Sequence, residues 1–334
     1  MAEPDLSART PAQGTSASQR EKVRFASGGT ECVAWHYRGS NSACLIMAGG
    51  AGVTKEPGTD LFASRFHAAG FSVLAFDHRH FGESGGQPRQ VIRIGEQLDD
   101  WQAAIGFATT MPGVDPARIA LWGFSLAGGH VFQVAARNPQ LAAAIAQTPL
   151  ADGQAAAPNA LRHMTPLALL RLMSMGIADA TGRLINRPPL LVPLAGERGT
   201  VATLNTPDGL DGSRALNPDN RYPEWQQAVA ATWPLRAGFY RPGRYASRVR
   251  CPLLVLACDQ DQTALPGPAV AAAHRAPRAE LVRLAGGHYA PFLDGHEQAV
   301  EAELGFLRRN LLDAHAEGAA ASSAESAPLW EGVA

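Results

Sequence analysis

A chain of 334 residues, 46% of them apolar, can bury a sizeable core, and 29 Lys and Arg against 30 Asp and Glu leave a net charge of −1. The basic residues are scattered, which removes the electrostatic case for nucleic acid or an acidic membrane surface and leaves a small-molecule substrate as the expected partner. "MAEPDLSARTPAQGTSASQR" lacks the apolar stretch of a secretory signal, and no run approaches the ~18 apolar residues of a membrane span, so a cytoplasmic protein is expected.

Residues 1–20 and 313–334 are dominated by small and polar residues and read as disordered tails. Between them, strand and helix patterns alternate. "EKVRFAS" and "CVAWHYRG" form an expected hairpin turning at Gly28-Gly29. "ACLIMAGG" is a short buried strand, followed by an amphipathic helix in "DLFASRFHAAG" and a second buried strand in "FSVLAFD". A long helix is expected over "RQVIRIGEQLDDWQAAIGFATTM", stopped by Pro112-Gly113. Then come the strand "RIALWGFS", a helix opening at Leu126, and the strand "LAAAIAQTP". Continuously apolar strands alternating with helices predict a parallel sheet covered on both faces.

From Leu150 to Arg248 the rhythm breaks. Prolines crowd in, helix-like pieces appear ("LALLRLMSMGIADA", "EWQQAVAATW"), and no buried strand is evident. The alternation resumes with "CPLLVLACD", "AVAAAHRAP", "AELVRLAGG" and a final helix from His296 to Leu312. The expectation is an α/β core over residues 21–149 and 249–312, carrying a mainly helical cap over 150–248. Cys32, Cys44, Cys251 and Cys258 include no C-x-x-C pair with a histidine partner. They read as structural thiols, with neither disulfide nor metal site, and no cofactor is called for.

The chemistry centres on "LWGFSLAGGHV". A serine between small residues is weak as a bare match, but Ser125 stands between a strand and a helix. A nucleophile elbow needs small neighbours there because the backbone turns sharply. A serine hydroxyl needs a base oriented by a buried carboxylate. Of ten histidines, His288 alone follows a strand and two glycines into a loop, where catalytic groups gather; His130, on the helix after Ser125, reads as packed. The carboxylate falls between serine and histidine in chain order, and "CPLLVLACDQDQTALP" offers Asp259 and Asp261. Asp261 lies further into the loop and is preferred, with Asp259 the alternative. For the oxyanion, the donors are the N–H of Leu126 and one from the loop "MAGGAGVTKEPG", where Ala51 is the candidate. That loop lacks the G-x-G-x-x-G and G-K-[ST] spacings of nucleotide sites.

Over roughly residues 21–312 the chain resembles an α/β-hydrolase. "FDHRHFGESGGQPRQ", "LDDWQAAIGFATTMPGVDPARIALWGFSLAGGHV" and "CDQDQTALPGPAVAAAHRAP" are similar to a bacterial branch close to X-prolyl dipeptidyl peptidase-like and serine aminopeptidase-like hydrolases. The resemblance implies Ser125 as nucleophile, Asp261 as acid, His288 as base, and an oxyanion hole at Leu126 and Ala51. Two positions depart from the family pattern: Gly49-Gly50 stand where His-Gly is common, and Ala127 replaces the elbow's usual glycine.

The expected activity is hydrolysis of a carboxylic ester, thioester or lactone of an apolar substrate through an acyl-enzyme. The alternatives are an acyltransferase or eliminating lyase on the same fold, an aminopeptidase-like amidase, and a binding protein that has lost catalysis. A cap with Trp225, Trp233, Phe239 and Tyr240 but few charges suggests an apolar pocket. "HRHFGES" is expected to brace the site, Arg79 pairing with a carboxylate and His80 facing the cleft, with a structural role for both.

Overall fold

A computed structural model describes residues 20–313; of the two expected tails, residues 1–19 and 314–334 lie outside that range. The chain opens with β1 (Arg20–Ser27) and β2 (Thr30–Tyr37), an antiparallel hairpin whose turn uses Gly28 and Gly29 at φ +53° and +80°. Both angles lie where a Cβ is penalised, which is why the turn is Gly-Gly. There follow β3 (Cys44–Ala48), α1 (Lys55–Ala68), β4 (Ser72–Phe76), α2 (Ile94–Ala108), β5 (Ile119–Phe124), α3 (Leu126–Arg137) and β6 (Ala143–Gln147). The next part of the chain holds α4 (Gly153–Arg162), α5 (Pro166–Arg183), β7 (Leu191–Pro193), α6 (Asp211–Leu216), β8 (Ala228–Ala230) and α7 (Thr232–Ala237). It closes with β9 (Leu253–Cys258), α8 (Pro266–Arg275), β10 (Ala279–Leu284) and α9 (His296–Leu307).

Eight strands form one sheet in the order β1-β2-β4-β3-β5-β6-β9-β10, parallel from β4 to β10. Alternating residues of each central strand feed opposite faces. In β5, Ile119 and Leu121 pack with Trp101 of α2 and Phe132 of α3, while Ala120, Trp122 and Phe124 pack with Phe62 of α1 and Phe306 of α9. This two-sided burial is why β3, β4, β5, β6 and β9 read as unbroken apolar runs. All four cysteines are buried free thiols, Cys44 pushed up to about 12 by burial. No helix among the described residues is long and apolar enough to cross a membrane.

Three expectations need correction. The helix expected from Arg89 starts at Ile94, because Gln90 sits at φ +59° and spends its side-chain amide on the carbonyls of Gln226 and Ala228. The expected helix in "EWQQAVAATW" is instead an irregular run ending in β8, with α7 beginning only at Thr232. The stretch from 150 to 248 does contain strands: β7 and β8 pair antiparallel over three residues each, too short for an alternation pattern to register. Their buried Val192 and Val229 join Phe81, Leu126, Leu172 and Trp233 in a third apolar cluster.

Arg79 finds its carboxylate in Asp100 of α2. The fully buried Asp100 receives Arg79 Nε at 2.7 Å, the Arg79 amide at 3.0 Å and the Ser27 hydroxyl at 2.7 Å. His78 stands 3.3 Å from its other face. Burial pushes the carboxyl up, but hydrogen bonds from His78, Ser27 and Arg79 outweigh it and lower it to about 2. Asp100→Ala strands a buried guanidinium, so a loss of about 3–5 kcal/mol is expected. Urea unfolding measures it, as a lower midpoint at unchanged slope; a loss below ~1 kcal/mol would mean that water replaces the carboxylate.

Candidate active site

Ser125 occupies the single residue between the end of β5 and the start of α3, with φ +57° and ψ −114°. That left-handed conformation costs a non-glycine residue ~1–3 kcal/mol and persists only where the surroundings enforce it. Here they do. The Ser125 amide donates to Gln147 O at 3.0 Å, and its carbonyl accepts from Gly129 N and Leu150 N, each at 2.9 Å. A Cβ at Gly123 would run into the backbone of Ala127, so glycine at 123 is obligatory. Position 127 accepts alanine, whose methyl is buried against the sheet.

The loop after β10 brings His288 to Ser125. The His288 Nε2–Ser125 Oγ distance is 2.9 Å, and Nδ1 lies 2.7 Å from Asp261 Oδ2. The ring is 1% exposed and packs on Phe124 with centroids 5.1 Å apart. The other oxygen of Asp261 accepts from the amides of Thr263 at 2.9 Å and Ala264 at 2.7 Å. A carboxylate can only accept at Nδ1, so the imidazole proton sits there and Nε2 is left to accept from the serine hydroxyl. Asp259 points elsewhere, pairing on the surface with Arg283 Nε at 2.8 Å. Of the two acids that the sequence offers, Asp261 meets His288 and Asp259 does not.

Burial pushes the Asp261 carboxyl up and outweighs the opposing pull of His288 and of the Ala264 amide. Burial draws the His288 imidazole down, but the Asp261 and Asp208 carboxylates more than offset it, leaving it above its ordinary value.

The loop after β3 passes close to Ser125. A Cβ at Gly50 would stand 3.0 Å from Ser125 Cβ, which is the steric reason for glycine there. The next residue, Ala51, lines the same cavity as Ser125 and Leu126. Leu126 is the first residue of α3, so its N–H has no intrahelical acceptor. The loop is held from two sides that sequence reasoning missed. Trp225 Nε1 donates to Gly52 O at 2.9 Å, and the Lys55 amide donates to Asp77 Oδ1 at 2.7 Å. The buried Lys55 ammonium reaches Asp77 Oδ2 at 2.9 Å and Glu83 Oε2 at 2.7 Å.

The cavity itself has a volume of about 330 Å³. Gly50, Ser125, Leu126, Leu172, Trp225 and Trp233 are among the residues that line it. None of the described residues that line it carries a carboxylate. His80 and Tyr240, expected at the pocket, do not line it. The His80 ring is buried with Nε2 2.6 Å from Glu96 Oε2, and the Tyr240 hydroxyl is engaged 2.7 Å from His130 Nδ1. Both are aromatic groups with a polar tip, and a polar partner inside the protein captured each tip. Phe239 lies 86% exposed.

One residue at the site carried no usable sequence signal. Asp208, in the 3-10 turn Pro207–Leu210, is buried, and its Oδ2 accepts from Gln262 N at 2.7 Å, His288 N at 3.1 Å and Thr263 N at 3.3 Å. Its Oδ1 accepts from the Thr263 hydroxyl at 2.9 Å. In sequence it belongs to Pro207-Asp208-Gly209, an ordinary turn tripeptide.

A family model described as serine aminopeptidase, S33, matches residues 40–288. The quorum-quenching protein AidA of Acinetobacter baumannii is 37% identical over 292 residues, covering 86% of this chain and 94% of that protein. The thiohydrolase aneE of Aspergillus aculeatus is 28% identical over 254 residues, covering 69% of this chain and 76% of its own. Among solved structures, the alpha/beta hydrolase GrgF from Penicillium has the same fold, with a TM-score of 0.72 at 23% identity over 87% of this chain and 99% of that one.

Proposed function

This chain belongs to the serine aminopeptidase S33 family of α/β-hydrolases, and we propose that it is a serine hydrolase acting on a carboxylic ester, thioester or lactone with an apolar acyl group. The observation that carries the reading is the hydrogen-bonded run Asp261–His288–Ser125 opening onto an apolar cavity. His288 takes the Ser125 proton as Oγ attacks the carbonyl carbon, and Asp261 stabilises the imidazolium. The N–H groups of Leu126 and Ala51 receive the oxyanion, assisted by the positive end of α3. Collapse expels the alcohol or thiol, which leaves with the proton from His288. Water, deprotonated by the same imidazole, then releases the acid.

The cavity lies at the lower end of the roughly 300–1,000 Å³ typical of ligand pockets, which supports a small to medium substrate. Residues 150–248 act as its cap. An aminopeptidase substrate would bring an ammonium group into a lining without a carboxylate, leaving that charge uncompensated. The relative named a thiohydrolase supports including the thioester, and the quorum-quenching relative supports a small signalling molecule as substrate.

A chain-length series of p-nitrophenyl esters and the matching thioesters, from acetyl to decanoyl, tests the reading. Leu172, buried on α5, lines the cavity, so Leu172→Trp shortens the space for the acyl chain. It is expected to depress kcat/KM for the longest accepted chain by about 10–200-fold, the worth of a displaced methylene or two. Acetyl ester turnover stays within about twofold by the same reasoning. A uniform loss across the series would place the acyl group elsewhere. Transfer of the acyl group to an added acceptor without net hydrolysis would overturn the hydrolase assignment.

A further inference from the structure

The loops that carry Asp261 and His288 meet at the Asp261–His288 contact and at Gln260, whose amide donates to Gly286 O at 3.0 Å and whose side-chain carbonyl accepts from the Gly286 amide; a carboxylate from outside the sheet spans them as well. Asp208 Oδ2 gathers the amides of Gln262 and Thr263 from the loop after β9 together with the His288 amide from the loop after β10. A Cβ at Gly287 would stand 2.8 Å from Asp208 Cβ, so the glycine before His288 is what admits this carboxylate. Thr206 Oγ1 lies 2.7 Å from Thr263 Oγ1, and Asn159 of α4 donates to Gln262 O at 2.7 Å. The stretch from β6 to β9 thus grips the acid-bearing loop at three points.

From this geometry we infer that Asp208 is a positioning residue for the reaction, setting the His288–Asp261 alignment from the cap and adding a second negative charge beside the imidazole. The inference rests on the reading of Ser125, His288 and Asp261 as the reacting set. Leu204, Gly209 and Gly212, which flank Asp208 in sequence, line the cavity. One short segment therefore touches the acyl group on one side and braces the histidine on the other. The charged groups acting on His288 are Asp261 and Asp208. Tyr289 beside the ring and Cys258 on β9 stay neutral, their acidities weakened chiefly by burial. Asp208 remains ionised, because the Gln262 amide and the His288 charge outweigh its own burial.

Charge and geometry separate in two variants. In Asp208→Asn the carbonyl oxygen takes the place of Oδ2 and keeps the three amides, while the new NH₂ donates to the Thr263 hydroxyl, which turns toward Thr206. The brace survives and only the charge is lost. The imidazolium then loses a stabilising neighbour, so the acid limb of kcat/KM, where His288 becomes neutral, moves to lower pH. Asp208→Ala removes the brace as well, and kcat is expected to fall about 10²-fold with KM changing less than about threefold, as for a misaligned reacting group.

The same pH profiles are taken for the rate of Ser125 labelling by a fluorophosphonate, which needs no knowledge of the natural substrate. A limb displaced to lower pH in Asp208→Asn, in turnover and labelling alike, supports the inference. Folded Asp208→Asn with the wild-type limb and rate overturns it, whether or not Asp208→Ala folds. Failure of the wild-type protein to label at all would instead overturn the serine-hydrolase reading on which it stands.

Discussion

Ser125→Ala is expected to remove about 10⁶-fold of kcat on the best ester, the scale seen when the nucleophile of a Ser-His-Asp unit is deleted. The fold should be spared. The Ser125 hydroxyl contacts His288 Nε2, while the backbone bonds that enforce φ +57° come from Gln147, Gly129 and Leu150 and do not involve the side chain. Alanine pays the same left-handed penalty as serine, so thermal midpoints should agree within a few degrees, about 1 kcal/mol or less. KM, where it reports binding, should barely move, because the cavity wall is intact. His288→Ala should cost nearly as much as Ser125→Ala, and the double variant hardly more, since the two act as a unit. Additive losses, or an alanine variant that keeps full turnover, would show that the chemistry runs through other groups. Fluorophosphonate labelling gives a second reading: it should vanish in Ser125→Ala and slow sharply in His288→Ala.

The residues that do the proposed chemistry were legible because each follows a strand, unbroken and apolar in β5 and β9 and interrupted by Glu280 and Arg283 in β10. Buried parallel strands announce themselves by composition, and the residue just beyond each one marks the carboxyl end of the sheet. Ser125 follows β5, Asp261 lies beyond β9 and His288 beyond β10. What stayed hidden depends on contacts between distant segments. Asp208 could not be told from Asp211 or Asp219, since its significance comes from amides 54 to 80 positions away. Lys55, which the sequence places in the loop "MAGGAGVTKEPG" without further signal, is buried between Asp77 and Glu83. His80 and Tyr240 were assigned to the pocket by residue type alone, and Glu96 and His130 decide otherwise. The short strands β7 and β8 are fixed by pairing across thirty-odd residues rather than by their own pattern.

Asp261→Asn is expected to cost about 10⁴-fold in kcat, against no more than about twofold for Asp259→Asn. The large effect follows from donors already in place. Oδ1 of Asp261 accepts two amides, from Thr263 and Ala264, so an asparagine must keep its carbonyl oxygen there. Its NH₂ then replaces Oδ2, 2.7 Å from His288 Nδ1. An amide facing Nδ1 donates to it, and the ring proton is driven to Nε2. In that tautomer Nε2 donates toward Ser125 instead of accepting its proton, and the base is lost although every heavy atom stays in position. Burial supports the same variant's stability: a neutral amide replaces a carboxylate whose ionisation burial opposes, so the folded state should not be weakened. Asp259, by contrast, is solvent-exposed and paired with an exposed Arg283, a contact worth ~0–1 kcal/mol and remote from the imidazole. The two asparagine variants, assayed side by side with the same ester, discriminate between the acids without further structural work. Equal losses would show that the two acids serve their shared loop only structurally, and the reverse order would move the acid to Asp259 and break the alignment drawn through His288.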